Sequence, residues 1–113
     1  MFRSIILALL IIVGFLSCKT YSPVQIPEAA YETWDYIQQY NNPQQGYVGG
    51  RSFRNFEQLL PKVNVESQKI QYREWDIYPK IQGKNRGAER LVTSSDGRAY
   101  YTPDHYESFI PLE

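Results

Sequence analysis

The chain has one cysteine and one histidine in 113 residues, Cys18 and His105. A single cysteine excludes an internal disulfide, and an odd cysteine in an exported protein asks for its own explanation. One histidine and one cysteine also leave the common zinc ligand sets without material. Neither sign of charge is in excess, since twelve Lys and Arg balance twelve Asp and Glu. Bulk electrostatics therefore offers no attraction to a polyanion, and any such partner must be held locally. No Gly-rich loop precedes a helix in the pattern that cradles nucleotide phosphates. Internal repeats and low-complexity tracts are absent, and no apolar run reaches the ~20 residues of a membrane span.

The one sustained apolar run is short. Arg3 precedes "IILALLIIVGFL", twelve residues from Ile5 to Leu16, which fits the core of a secretory signal. "SCK" follows in place of a small-x-small cleavage site. The segment is similar to a bacterial lipoprotein signal, with residues 1–17 removed and Cys18 lipidated, although Phe15 stands where an aliphatic residue is usual. A thioether-linked lipid on Cys18 would tether an exported protein to a membrane and account for the odd cysteine. Cleavage there removes Arg3 and leaves eleven cationic side chains against twelve anionic. Residues 18–27 are then the lipidated Cys and a linker, because Pro23 and Pro27 favour extension, and the nine residues 19–27 reach about 28 Å at ~3.1 Å each.

Residues 28–113 are expected to form one small domain. It lacks disulfides and has little area to bury, a shortage that ten Tyr, five Phe and two Trp in the chain offset. Glu28 to Asn41 reads as a helix, with Pro27 suited to a first helical position and Trp34 and Ile37 facing the core. Asn41-Asn42-Pro43 stops it. Strands are expected in "RSFRNF" and in "KIQYREWDI", where Ile70, Tyr72, Glu74 and Asp76 share a face. A hairpin pairs Arg90–Thr93 with Arg98–Thr102 across Ser95-Asp96-Gly97. One helix followed by an antiparallel β-sheet is an α+β domain.

Such a sheet can gather Glu74, Arg86, Arg90 and His105. A surface ion-pair cluster would have the same spacing. If the group is chemical, it suits RNA cleavage without a metal. A carboxylate takes the proton of a ribose 2′-OH, an imidazolium protonates the departing oxygen, and guanidiniums hold the phosphate. The carboxylate must be ionised while the imidazole is protonated, a pairing favoured in mildly acidic solution.

Five stretches occur in one order: "DYIQQY", "GGRSFRNFEQLLP", "YREWDI", "NRGAERLVTSSDG" and "YYTPDHYESF". In that order they resemble the barnase family of small microbial guanyl-specific ribonucleases over residues 28–113. The resemblance implies a barnase-like fold, and roles for single residues. Glu74 in "REWD" matches the general base and His105 in "TPDHY" the general acid. Arg86 and Arg90 in "RGAER" match the phosphate-binding pair, with Asp76 bracing them. Glu57 in "FRNFE" matches the carboxylate that accepts guanine N1 and N2, while backbone N–H groups at Asn55 and Phe56 face O6. Tyr106 matches the aromatic that closes over the base.

The chain departs from the family twice. Phe56 replaces a frequent arginine, and the short "NNPQQGYVGG" leaves no room for the second helix, which carries an active-site lysine in barnase. The implied protein is a monomer that cuts single-stranded RNA after guanosine with no cofactor and no metal ion. A proteinaceous inhibitor is a partner that the sequence leaves open. The alternative reading is a catalytically weak or inactive lipoprotein module that binds RNA or protein on the same fold.

Overall fold

A computed structural model describes residues 24–113. The signal segment, Cys18 and the first part of the tether lie outside the described residues. In chain order the elements are α1 (Glu28–Tyr40), β1 (Gly49–Phe53), β2 (Tyr72–Asp76), β3 (Arg90–Ser94), β4 (Ala99–Thr102) and β5 (Ile110–Pro111). The strands form one sheet in the order β1-β2-β3-β4-β5, with every neighbouring pair antiparallel. The helix and hairpin fall where the sequence places them. β1 starts two residues before "RSFRNF" and ends at Phe53, because Arg54 to Glu57 leave the sheet. The two-residue β5 has no pattern of its own in the sequence.

α1 begins at Glu28 as the sequence places it, with Pro27 just outside the helix and not at its first position. Pro27 has extended backbone at φ −66° and ψ 150° and serves as the N-cap residue, with its carbonyl accepting from the Ala30 amide at 3.0 Å. Proline has no N–H to leave orphaned there. At the other end Asn41 adopts φ 53° and its amide reaches the Ile37 carbonyl at 2.7 Å, a left-handed C-cap. Between the caps Ala30, Thr33 and Ile37 are buried at helical spacing, and Trp34 is half-buried.

The sheet has apolar packing on both faces. Trp75, Ile77, Leu91, Ala99 and Tyr101 meet α1 through Ala30 and Ile37, and Ile26 from the tether segment packs beside them. The Trp75 indole N–H is buried, and donates to the Thr93 hydroxyl at 2.9 Å. On the opposite face Leu60, Ile70, Tyr72, Val92 and Tyr100 pack under Phe53, Tyr106 and Phe109. Loops rather than a helix cover this second face, and it stays accessible where they part.

Strand register sets the charged groups on that face, since directly opposed residues of antiparallel strands point the same way. One row across the sheet is Arg51, Glu74, Val92 and Tyr100. The next row is Asp76, Arg90 and Thr102. A β-bulge decides the first row. Gly49 opposes Trp75 while Arg51 opposes Glu74, so Gly50 is the extra residue. Its φ of 84° is a conformation that glycine adopts freely. Regular alternation from Gly49 would have set Arg51 against Arg73 instead. Gly49 also has no room for a side chain, since a Cβ there would lie 2.9 Å from the Trp75 ring.

Asp76 and Arg90 are both 4% exposed. Arg90 Nε lies 3.1 Å from Asp76 Oδ1, off the line of a hydrogen bond, so the contact is chiefly coulombic. Arg90 Nη1 donates instead to the Gly87 and Glu89 carbonyls at 3.0 and 2.7 Å. Removing one partner of a buried pair strands the other charge. Asp76→Ala is therefore expected to lower stability by about 3–5 kcal/mol, read as a shift of the urea midpoint. A loss under about 1 kcal/mol would show that solvent already screens the pair.

Candidate active site

A cleft of about 540 Å³ opens on the loop-covered face, and Asn55, Phe56, Glu57, Glu74, His105 and Tyr106 all line it. Six of the residues singled out in the sequence thus share one concavity. Asp76 and Arg90 stand one row further along the sheet, and Arg86 reaches Asp76 from the loop before β3.

Glu74 projects from β2 with its side chain 17% exposed. Arg51 Nη2 lies 2.8 Å from Oε1, and the Tyr106 hydroxyl donates to Oε2 at 2.6 Å. The carboxylate is thereby fixed in orientation by a cation from β1 and a phenol from the loop after β4. Burial, and then Glu74, push the Tyr106 hydroxyl well above the usual phenol range. It stays a donor at any ordinary pH. The Tyr106 ring stacks on Phe53 with centroids 4.8 Å apart and planes 28° apart. Phe109 meets Phe53 edge-on at 5.9 Å. Tyr106 is thus a wall of the cleft whose tip holds Glu74.

The loop carrying His105 is built by its neighbours. Thr102 ends β4 wholly buried. Its hydroxyl accepts the Tyr106 amide at 2.9 Å and donates to Asp104 Oδ1 at 3.0 Å. Asp104 also accepts from the Ser108 amide at 2.9 Å and the Ser108 hydroxyl at 2.5 Å. Burial acts to raise the Asp104 carboxyl, but these hydrogen bonds outweigh it and hold the group below the ordinary aspartate range. The turn places His105 at φ 55° and Tyr106 at φ 75°. Each left-handed non-glycine residue costs on the order of 1–3 kcal/mol, which the surrounding bonds must offset. The His105 amide donates to the Ala88 carbonyl at 3.0 Å, which ties this turn to the Arg86–Arg90 segment. Its imidazole is exposed, with its centroid 4.8 Å from that of Tyr106.

Asp76 anchors both arginines. Arg86 Nη1 lies 3.2 Å from Oδ2 and 3.4 Å from Oδ1, and Arg90 packs on the same carboxylate. The Arg86 side chain remains 30% exposed, so it can meet a ligand while Asp76 steadies it.

The segment Asn55–Glu57 forms the other wall. Asn55 is also left-handed, at φ 51°. Its side chain spans the loop, with Nδ2 donating to the Leu60 carbonyl at 2.8 Å and Oδ1 accepting the Leu60 amide at 3.2 Å. The Asn55 carbonyl accepts the Gln58 amide at 3.0 Å. Among the described residues the Asn55 and Phe56 amides have no backbone acceptor, and Glu57 forms no ion pair. Two N–H donors and one carboxylate therefore line a single wall. Phe56 is 81% exposed.

Sequence reasoning missed Arg51 and Phe53. Arg51 is visible only once "GGRSF" is paired with "YREWD" and the bulge is counted. Phe53 is an ordinary strand residue by pattern, and its stacking on Tyr106 depends on the 102–108 turn.

The sequence model of the ribonuclease family matches residues 15–113. The guanyl-specific ribonuclease St of Saccharopolyspora erythraea is 34% identical over 87 residues, which are 74% of this chain and 77% of that protein. Two crystal structures of ribonuclease Sa2 share the fold at 29% identity, and both cover 79% of this chain. One, with guanosine-2′-cyclophosphate, has a TM-score of 0.54 over 88% of its chain. The other, with an exo-2′,3′-cyclophosphorothioate, has a TM-score of 0.55 over 89% of its chain. With a family match over nearly its whole length and a curated ribonuclease relative, this chain belongs to the ribonuclease family.

Proposed function

We propose that the chain is an endoribonuclease that cleaves single-stranded RNA after guanosine through a 2′,3′-cyclic phosphate. One observation carries this reading: Glu74 and His105 line the same cleft as the Asn55–Glu57 wall. A base held at that wall has its 3′ phosphate within the reach of both titratable groups.

The Glu74 carboxylate takes the proton of the guanosine 2′-OH. Its oxygens are already engaged by Arg51 and Tyr106, yet each carboxylate oxygen has a further lone pair for the incoming hydroxyl. The 2′-oxygen attacks phosphorus, the bond from phosphorus to the 5′-oxygen breaks, and the His105 imidazolium protonates that oxygen. A cyclic phosphate and a 5′-hydroxyl result. Arg86 and Arg90, steadied by Asp76, face the charge that grows on the non-bridging oxygens. Arg51, from the row that holds Glu74, adds a third cation. At the base wall, Glu57 accepts the N1 and N2 donors of guanine while the Asn55 and Phe56 amides donate to O6. Recognition by base edges of this kind suits single strands.

The same reading makes residues 1–17 a cleaved lipoprotein signal, Cys18 the lipidated residue of an exported, membrane-tethered protein, and 28–113 the ribonuclease domain, a monomer. Its support is the sequence of the first 27 residues. Cys18→Ser should move the protein out of the membrane fraction or leave an uncleaved precursor. Unchanged fractionation with residue 1 still at the N-terminus would identify an uncleaved anchor.

Glu74→Gln and His105→Ala are each expected to lower kcat/KM on RNA by about 10²–10⁴-fold with the fold retained. Turnover within a few-fold of the parent in either variant would remove that residue from the chemistry. Glu57→Gln is expected to relax the preference for guanosine more than it slows cleavage, because an amide keeps one acceptor and presents a donor where a second acceptor is needed. Cut-site mapping on mixed-sequence RNA reads this. Equal cutting after adenosine by the parent protein would dismiss the base-reading role.

A further inference from the structure

On the far side of the Asn55–Phe56 ridge lies a second, wider groove of about 890 Å³. It shares Ser52, Phe53, Arg54, Asn55 and Phe56 with the cleft and continues toward the 62–73 segment. Four cationic residues line it, Arg54, Lys62, Lys69 and Arg73, and no anionic one does. None of the four forms a salt bridge among the described residues, whereas Arg51, Arg86, Arg90 and Arg98 each do.

The cations are held in place by local structure. The Ile70 amide donates to the Lys62 carbonyl at 2.9 Å, and Val63 bridges Lys69 across an antiparallel turn, which fixes the backbone that carries the two lysines. The Arg73 guanidinium lies 4.7 Å from the Trp75 ring centroid and donates to the Asn41 side chain. Arg54 stands 6.0 Å from the Phe56 ring. In a chain of zero formal net charge, Arg54, Lys62 and Lys69 stand in one concavity without a carboxylate partner among the described residues and focus a positive field on whatever enters, while the Arg73 guanidinium is held on the helix side by Trp75 and Asn41. The exposed Phe56 ring on the ridge offers a stacking face between the two grooves.

We infer that this groove is a second RNA subsite, which takes the phosphodiester backbone of nucleotides beyond the guanosine. The inference rests on the ribonuclease reading of the adjoining cleft. A single-stranded RNA laid over the ridge runs from cleft to groove without leaving the protein surface. The local cations thereby supply what the balanced overall charge does not.

Two substrates separate the groove from the cleft. Guanylyl-3′,5′-uridine fills the cleft alone. A twenty-nucleotide RNA with one guanosine among uridines fills both, and its 2′-deoxyguanosine counterpart binds without being cut. The full chain and its Lys62→Glu/Lys69→Glu variant are compared, with Lys62→Gln/Lys69→Gln as a milder pair and thermal melting as the check on folding. Dinucleotide cleavage is expected to stay within twofold of the parent. Affinity for the uncleavable oligonucleotide, by fluorescence anisotropy at low salt, is expected to fall about tenfold or more, with a salt slope shallower by about 1.4 for two lost contacts on a single strand. Unchanged affinity and slope in both folded variants would overturn the subsite. Absence of dinucleotide cleavage by the parent would instead count against the ribonuclease reading, while the anisotropy still decides the groove.

Discussion

A carboxylate as buried as Asp76 needs its charge balanced from within the protein, and Arg90 and Arg86 supply that balance. The pairing fixes more than two side chains. It locks the last residue of β2 to the first of β3, and it draws the 86–90 segment over the end of the sheet. That segment receives the His105 amide at Ala88. One row away on the same face, Glu74 takes its position from the same register. Desolvation makes this arrangement costly to disturb, because a buried guanidinium without its carboxylate has no water to turn to. Two arginines are thus held one row from Glu74 with little conformational freedom.

Strain is concentrated where ligand groups would meet. Of the non-glycine residues with positive φ, Asn55, His105 and Tyr106 line the cleft. Each is offset by local bonds: the Asn55 side chain to Leu60, and the Thr102 and Asp104 groups to the 104–108 turn. The Gly50 bulge plays the corresponding part on β1 by turning Arg51 toward Glu74. Wrapped around by these turns, the cleft is preorganised by the sheet edge and not by a covering helix.

Much of this was legible from residue types and spacing. The alternation in "KIQYREWDI" put Glu74 and Asp76 on one face, and Ser95-Asp96-Gly97 announced the hairpin whose register sets Arg90 against Asp76. The helix ended at Tyr40, with Asn41 as its cap, within one residue of where its composition suggested. What stayed hidden depends on non-local geometry. Arg51 reads as a strand charge until the bulge is counted, and β5 is two residues held by pairing with Tyr100 and Tyr101. The basic groove draws on residues from 54 to 73 whose charges are cancelled in any whole-chain sum by acids elsewhere. Of the family's expected features, the fold and the order of motifs stand on the sequence. The placement of Tyr106 against Phe53 and Glu74 needed the structure.

The central claim is that a ribose 2′-hydroxyl next to guanosine is the nucleophile, activated by Glu74. It is tested most directly by incubating the full chain with a single-guanosine RNA and with the same strand carrying 2′-deoxyguanosine at that position, then identifying the products by mass spectrometry. The account predicts one cut in the RNA, 3′ of the guanosine, leaving a 2′,3′-cyclic phosphate and a 5′-hydroxyl, and no cut in the deoxy-substituted strand. Cleavage of the deoxy-substituted strand at the same position, or a 5′-phosphate on the released fragment, would contradict it.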